Sequence, residues 1–220
     1  MLYQVIDTGG SRSFPGPHVL LEKAEAAGDV VIIVGGKVGQ ALQTLASREA
    51  KTAVLIELGT ESLGVHTGES RGKEGSNVLG FSRFCLGVAG PSALVEIVRQ
   101  PRSSDAAVAA AKEIFESAGL QTAMCGDFDG RIIDRLVRPY YNAALRRLDE
   151  GLATAEDMDL TLKLGLGYPE GPISLLERTG LEHHYDVTQA LFEAYGDPAY
   201  APARRARVAK QRTVSGSRER

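Results

Sequence analysis

The sequence predicts an α/β protein in two parts: an open, mostly parallel sheet over residues 1–128, then an all-helical domain over residues 129–220. Short apolar runs alternating with helix-length segments mark the sheet, because parallel strands are buried on both faces and need crossovers between them. After residue 130 the apolar residues recur instead at helical spacing. No long linker separates the two parts, and 220 residues are enough for one large core or two smaller ones.

In order, residues 2–6 (LYQVI) read as a strand, followed by the Gly/Pro-rich loop TGGSRSFPGP, which cannot be helical. Residues 18–27 read as a short amphipathic helix closed by Gly28, and residues 30–34 as a continuous apolar strand. A helix over 38–50 and a strand over 52–57 complete a βαβ unit. The segment HTGESRGKEGSN reads as a flexible surface loop. Strands follow over 77–81 and 93–98, then an Ala-rich helix over 105–118, capped by Ser103 or Ser104 and closed by Gly119, then a strand over 121–124.

The helical part opens with Ile132, Ile133, Leu136, Val137, Tyr140, Ala144, Leu145 and Leu148 on one face and arginines on the other. Pro139 predicts a bend, and Gly151 a left-handed helix end. Thr154 with Asp157 forms a capping box for a second helix, which GLGYPEGP stops and turns into a third. Residues 181–195 form a last long helix, and the basic tail from residue 201 is expected to be solvated or loosely docked.

A net charge of −3 gives no electrostatic invitation to nucleic acid or an acidic membrane surface. The longest apolar runs are far too short to span a bilayer, and the N-terminus lacks a signal-peptide pattern, so the expected location is cytoplasmic. Cys85 and Cys125 offer no disulfide framework or metal spacing and read as buried thiols. His66 reads as a surface-loop residue and His18 as solvated; His183 and His184 are adjacent on a helix, point to different faces and make a poor metal pair, so no metal is expected.

One segment has the outline of a dinucleotide loop: Val34-Gly35-Gly36-Lys37-Val38-Gly39 lies between a strand and a helix, with Glu57 closing the next strand. Such loops need a glycine for the turn, one where backbone meets pyrophosphate, one for helix packing, and an acid for the ribose. Only Gly36, Gly39 and Glu57 meet those needs, because Val34 takes the first position.

A second register rests on a resemblance. Gly130-Arg-Ile-Ile-Asp134-Arg135-Leu136 and Asp159-Leu-Thr-Leu-Lys163-Leu164-Gly165-Leu-Gly167-Tyr168-Pro169-Glu-Gly171-Pro172 resemble the G-F-x-x-N-R-L and D-x-A-x-K-L-G-x-G-Y-P-x-G-P segments of the 3-hydroxyacyl-CoA dehydrogenase family. Upstream, Asp29-Val-Val-Ile-Ile-Val34, Ala53-Val-Leu-Ile-Glu-Leu-Gly59-Thr60-Glu61-Ser62-Leu63, Val78-Leu79-Gly80-Phe81-Ser82-Arg83-Phe84 and Leu94-Val95-Glu96-Ile97-Val98 resemble the family's D-L-V-I-E-A-V, N-T-S-S-L, V-I-G-L-H-F-F-N-P and L-V-E-V-I. The resemblance implies a truncated Rossmann-like domain, lacking most of its first nucleotide-binding half, and a helical domain through which the chain forms a homodimer.

The family's site carries over residue by residue. Ser82 stands where the resemblance places the base, a histidine, and Glu96 where it places the carboxylate that orients that base. Asp134 replaces an asparagine, Glu61 a serine, and Ser62 keeps the neighbouring hydroxyl. A serine does not accept a proton near neutral pH without its own base. The resemblance therefore implies an acyl-CoA ligand and an NAD cofactor, with hydride transfer lost or altered. The alternatives are an active NAD-dependent enzyme with a rearranged site, or another reaction on acyl-CoA run by Glu61, Glu96 and Asp134. If these carboxylates converge, like charges raise the pKa of at least one of them.

Overall fold

The apolar runs form six strands in one sheet, in the sequential order β1 to β6. They are β1 (Tyr3–Asp7), β2 (Val30–Val34), β3 (Ala53–Glu57), β4 (Val78–Arg83), β5 (Leu94–Arg99) and β6 (Gln121–Gly126). β1 to β4 run parallel, β5 is antiparallel to β4, and β6 is parallel to β5. The computed structural model describes residues 1–216. Its two compact units are residues 1–85 with 91–132, which hold the sheet, and residues 86–90 with 133 onward, which hold the long helices.

Pleating sends alternate residues of β2 to opposite faces. Val30, Ile32 and Val34 join one core with Phe14, with Leu20 of α1 (Val19–Glu22) and with Phe115 of α4 (Asp105–Ser117). Val31 and Ile33 join the other core with Val38 and Leu42 of α2 (Val38–Thr44) and with Leu63 at the head of α3 (Gly64–Thr67). The connections from β1 to β2 and from β2 to β3 therefore pass over opposite faces while stepping the same way across the sheet. They have opposite hands. The β3–β4 connection matches the second, and so does β5–β6, which passes over the first face but joins strands of reversed direction. Right-handed crossovers are nearly universal, so the first connection, residues 8–29, is the exception.

Several elements differ from the sequence expectation. α1 is a single turn capped by the His18 side chain, because the chain turns back at once: Glu25 N donates to Tyr3 O at 2.9 Å. The helix expected over 38–50 breaks into α2 and a 3-10 turn at Arg48–Ala50. The expected loop after Gly64 starts within α3, whose first amide, that of Gly64, meets the Asp127 carboxylate together with the amide of Leu63. The Cys85 and Cys125 thiols are half-buried rather than fully buried.

In the helical unit, α5 (Ile133–Asp149) ends before Gly151 at φ 75°, and Thr154 caps α6 (Ala155–Leu166) by accepting from Asp157 N at 3.1 Å, as the sequence predicts. α8 spans Leu181–Tyr195. The tail is not loose: α9 (Arg204–Gly216) carries Ala206 fully buried. The last four residues of that tail lie outside the described residues. Among the described residues no helix is long and apolar enough to cross a membrane.

The glycine/proline corner is held by one carboxylate. α7 (Pro172–Thr179) begins with a proline that has no N–H, so its first donors are Ile173 N and Ser174 N. Each donates to Asp159 at 2.9 Å, and Ser174 Oγ adds a third bond at 2.6 Å. Gly171 leaves room for this, since a Cβ there would occupy the Asp159 carboxyl position. Asp159→Ala is expected to lower stability by about 2 kcal/mol, read as a lower urea midpoint, with Asp159→Asn losing less because it retains an acceptor.

Candidate functional site

Adjacent parallel strands whose connections leave to opposite faces open a crevice at their carboxyl ends, and ligands of open α/β sheets bind in such crevices. Here that place is between the loops that follow β1 and β2. The loops are laced together: Gly36 N donates to Gly9 O at 2.8 Å, Thr8 Oγ1 donates to Val34 O at 2.8 Å, and Lys37 N donates to Thr8 Oγ1 at 3.1 Å. Gly35, at φ 102°, sits so close to Gly9 that no side chain fits. A cavity of about 250 Å³ lies here, lined by Arg12, Gly36, Gly39, Glu57, Glu61 and His66 among others.

Glu57 stands at the crevice, but its carboxylate is committed. Buried at the end of β3, it accepts Ser13 N at 2.6 Å and Gly35 N at 2.7 Å, one bond from each loop. Gly36 leaves open space towards the cavity, its nearest neighbour being Gly9 O at 3.8 Å from where a Cβ would stand. Gly39 has a different use: a Cβ there would come within 2.8 Å of His66 Nδ1. Its missing side chain makes room for an imidazole.

His66 is therefore not the surface residue that its polar surroundings suggest. Its side chain is 14 % exposed, and Nε2 lies 3.4 Å from Glu61 Oε1. Glu61 also accepts Gly59 N at 3.1 Å, and a Cβ on Gly59 would reach within 2.6 Å of Glu61 Oε2. Burial raises the Glu61 carboxyl pKa, but the His66 hydrogen bond and the backbone N–H groups of Glu61 and Gly59 outweigh it and bring it to about 2. This carboxylate is lowered, not raised as crowding with like charges would make it.

Ser82 and Glu96 are direct cross-strand partners on β4 and β5, and both are buried. Glu96 Oε1 accepts Ile132 N at 3.0 Å, and Oε2 lies 3.8 Å from Arg131 Nε. Arg131, itself buried at positive φ, donates through Nη2 to Gly59 O. The second carboxylate thus has a cation of its own. Ser62 is fixed through its backbone, which donates to Asp129 Oδ1 at 3.1 Å.

Asp134 belongs to the helical unit. It accepts Arg138 Nε at 2.7 Å, and Arg138 Nη1 reaches His184 Nδ1 at 3.1 Å. Since arginine only donates, Nδ1 is the acceptor and Nε2–H donates to Asn142 Oδ1 at 3.0 Å. Asn142 in turn donates to Ala199 O at 3.1 Å. Burial, then the Arg138 charge, pulls the His184 pKa down to about 3. Among the described residues, no group of three or more His, Cys, Asp or Glu side chains is placed to hold a metal ion.

Residues 130–217 match the family model for the 3-hydroxyacyl-CoA dehydrogenase C-terminal domain. The 3-hydroxybutyryl-CoA dehydrogenase of Bradyrhizobium diazoefficiens is 36 % identical over 109 residues, which cover 50 % of this chain. The helical part of the chain is thus similar to the C-terminal domain of the 3-hydroxyacyl-CoA dehydrogenase family. The alignment spans only 37 % of that relative's length. Two solved family structures extend the likeness to the sheet. The 3-hydroxybutyryl-CoA dehydrogenase of Escherichia coli matches 88 % of this chain and 40 % of its own, with TM-score 0.70 and 28 % identity. The (S)-3-hydroxybutyryl-CoA dehydrogenase of Ralstonia eutropha matches 81 % and 64 %, with TM-score 0.67 and 26 % identity. The sheet unit is Rossmann-like.

Both perturbed groups act on stability, in separate pH windows. The folded pKa of His184 lies below the ordinary 6.5, so the unfolded chain takes up this proton first. Stability is full above about 6.5 and falls as pH drops towards 3, by at most about 1.4 kcal/mol per pH unit. Glu61 acts lower down, its contribution being lost as pH falls from 4.5 through about 2. The urea midpoint is expected to fall between pH 7 and pH 5, and to fall less in His184→Gln, which has nothing to protonate there.

Proposed function

We propose that this chain is a 3-hydroxyacyl-CoA dehydrogenase relative of acyl-CoA metabolism in which NAD-dependent hydride transfer is lost or altered. The observation that carries this reading is the state of Glu96. Its carboxylate occupies the position that orients the family's base, yet it lies across from Ser82 and beside the Arg131 guanidinium. A carboxylate compensated by a buried guanidinium, facing a hydroxyl, has no proton to relay between an alcohol and an imidazole. Arg131 follows Gly130 where the family motif has phenylalanine, so one substitution supplies the counter-charge that the other leaves wanting.

Acyl-CoA is the proposed ligand and NAD the proposed cofactor, on the names of the relatives and on the crevice between β1 and β2. Residues suited to NAD are partly present: Gly36 keeps the backbone open, while Glu57 is already bound to Ser13 N and Gly35 N. When bound, the nicotinamide would supply the hydride acceptor. A homodimer through the helical unit is supported by Leu136, Leu160, Leu164 and Leu166, which are 69, 53, 79 and 62 % exposed, a run of apolar surface unusual for a monomer. A cytoplasmic setting is part of the same reading, since the half-buried thiols of Cys85 and Cys125 suit a reducing compartment. A second reading, an active enzyme with a rearranged site, is favoured by the Glu61–His66 pair.

NADH fluorescence with acetoacetyl-CoA present, and turnover followed in the same cuvette, tests the two readings. The expected outcome is no NADH consumption; steady consumption would establish the second reading. Solution scattering at micromolar concentration is expected to give the mass of a dimer, and a monomeric mass would remove the proposed helical interface.

A further inference from the structure

The other edge of the sheet, at β6, carries a second cavity, and none of the positions assigned to the family's site lines it. β5 runs antiparallel to β4 and β6 runs with β5, so the carboxyl ends of β5 and β6 lie at the opposite end of the sheet from those of β1 and β2. There a cavity of about 350 Å³ opens. Its floor is apolar: Pro101 after β5, Met124 and Cys125 of β6, and Phe128, which is 50 % exposed. The Cys125 thiol adds no charge, since burial, then the Glu96 carboxylate, push its pKa up to about 11. Gly126 lets the Phe128 ring lie close, for a Cβ there would come within 3.1 Å of it.

The rim is a tight turn with an unusual residue in it. Lys73 N donates to Ser70 O at 3.3 Å, closing a turn whose two central residues, Arg71 and Gly72, stand at φ 55° and 97°. Such turns favour glycine, asparagine or aspartate at both places, and only Gly72 conforms. Gly72 is buried against Gln100, whose Cβ lies 3.1 Å from where a Cβ of Gly72 would stand, so the turn is seated on the end of β5 and brings Arg71 to the cavity. A bulky residue held at positive φ is an outlier of the kind found at ligand clamps.

Arg71, Arg99 and Asp127 are the charged groups of the lining. Asp127 is compensated by Leu63 N, Gly64 N and Gln100 Nε2. Arg99 Nη2 lies 3.5 Å from Asp105 Oδ1 at the head of α4. Behind Cys125, Glu96 and Arg131 answer each other at 3.8 Å. In the flanking turns Glu69, Lys73, Glu74 and Arg102 are exposed and balance in sign, and all four stand outside the lining. Among the described residues no carboxylate pairs with Arg71. The cavity therefore offers an apolar floor and one guanidinium without a partner.

We propose that this cavity binds a small organic monocarboxylate, with its carboxylate on the Arg71 guanidinium and its apolar tail on Pro101, Met124 and Phe128. A guanidinium fork matches the two oxygens of a carboxylate. The volume falls at the lower end of the roughly 300–1,000 Å³ that small-molecule sites occupy. A phosphate dianion or a dinucleotide brings more negative charge than one guanidinium beside Asp127 answers. The cavity shares no lining residue with the crevice between β1 and β2, so occupation of one leaves the other open.

The methionines, Met1, Met124 and Met158, give a local readout: methyl NMR of the full chain at neutral pH, titrated with hexanoate and with its uncharged amide, hexanamide. Met124→Leu identifies the Met124 signal by its loss. Hexanoate is expected to shift the Met124 signal saturably and to leave that of Met158, in the helical unit, in place. Binding is expected to be about tenfold weaker for hexanamide, and about tenfold weaker for hexanoate in Arg71→Gly. Glycine suits the positive φ, so this variant keeps the turn. The proposal is overturned by the absence of a saturable Met124 shift at millimolar hexanoate, by equal affinity for acid and amide, or by unchanged affinity in Arg71→Gly. Parallel shifts of Met124 and Met158 overturn it as well, since they mean adsorption without a site. A tighter response to inorganic phosphate than to hexanoate overturns the carboxylate assignment. No readout involves NADH, so the outcome stands apart from that of the turnover experiment.

Discussion

The Glu57 carboxylate is the interaction on which the sheet's functional edge depends. A buried carboxylate is tolerable only with several hydrogen bonds, and Glu57 finds them in Ser13 N and Gly35 N. Each belongs to a different loop, one after β1 and one after β2, so satisfying the charge also fixes the two loops against each other. The same closeness makes Gly35 obligatory, because Gly9 stands where its side chain would be. An acid that a sequence reading assigns to ribose is here an internal tie, and the crevice exists because the tie holds it open.

Much of the fold is legible in the sequence, for physical reasons that differ by element. Continuous apolar strands such as β2 declare burial on both faces, and α8 is bounded by Gly180 and Gly196 at positive φ, so its limits follow from the glycines. The errors come where long-range contacts decide. α1 is short because Tyr3 claims the amide of Glu25, and α9 forms because small residues such as Ala206 fit against α8, although its surface is almost wholly basic or polar.

The candidate site was legible as positions and not as partners. Gly36, Gly39, Glu57 and Glu61 do line one cavity, and Ser82 faces Glu96. His66 was hidden because the residues around it are polar and glycine-rich; the one available signal was Gly39, a glycine inside a helix with no turn to make. Arg131 was signalled by a charged residue where the motif carries a large apolar one. A lone arginine gives no hint in sequence of which carboxylate it will neutralise, and only the fold brings it to Glu96.

The two pairs, Glu61 with His66 and Glu96 with Arg131, are joined through Gly59. Its N–H donates to Glu61 and its carbonyl accepts from Arg131. The arrangement sorts the charges by mobility. A guanidinium stays protonated at any working pH, so the Glu96 pair is fixed and suits a structural role. The Glu61 carboxylate is paired instead with an imidazole, and both line the cavity. A chain whose orienting carboxylate has gained a permanent cation has its carboxylate–imidazole pair elsewhere, in the crevice where β1 and β2 diverge. The opposite hand of the first crossover sends the connections from β1 and β2 to opposite faces, and that divergence leaves room for a ligand between them.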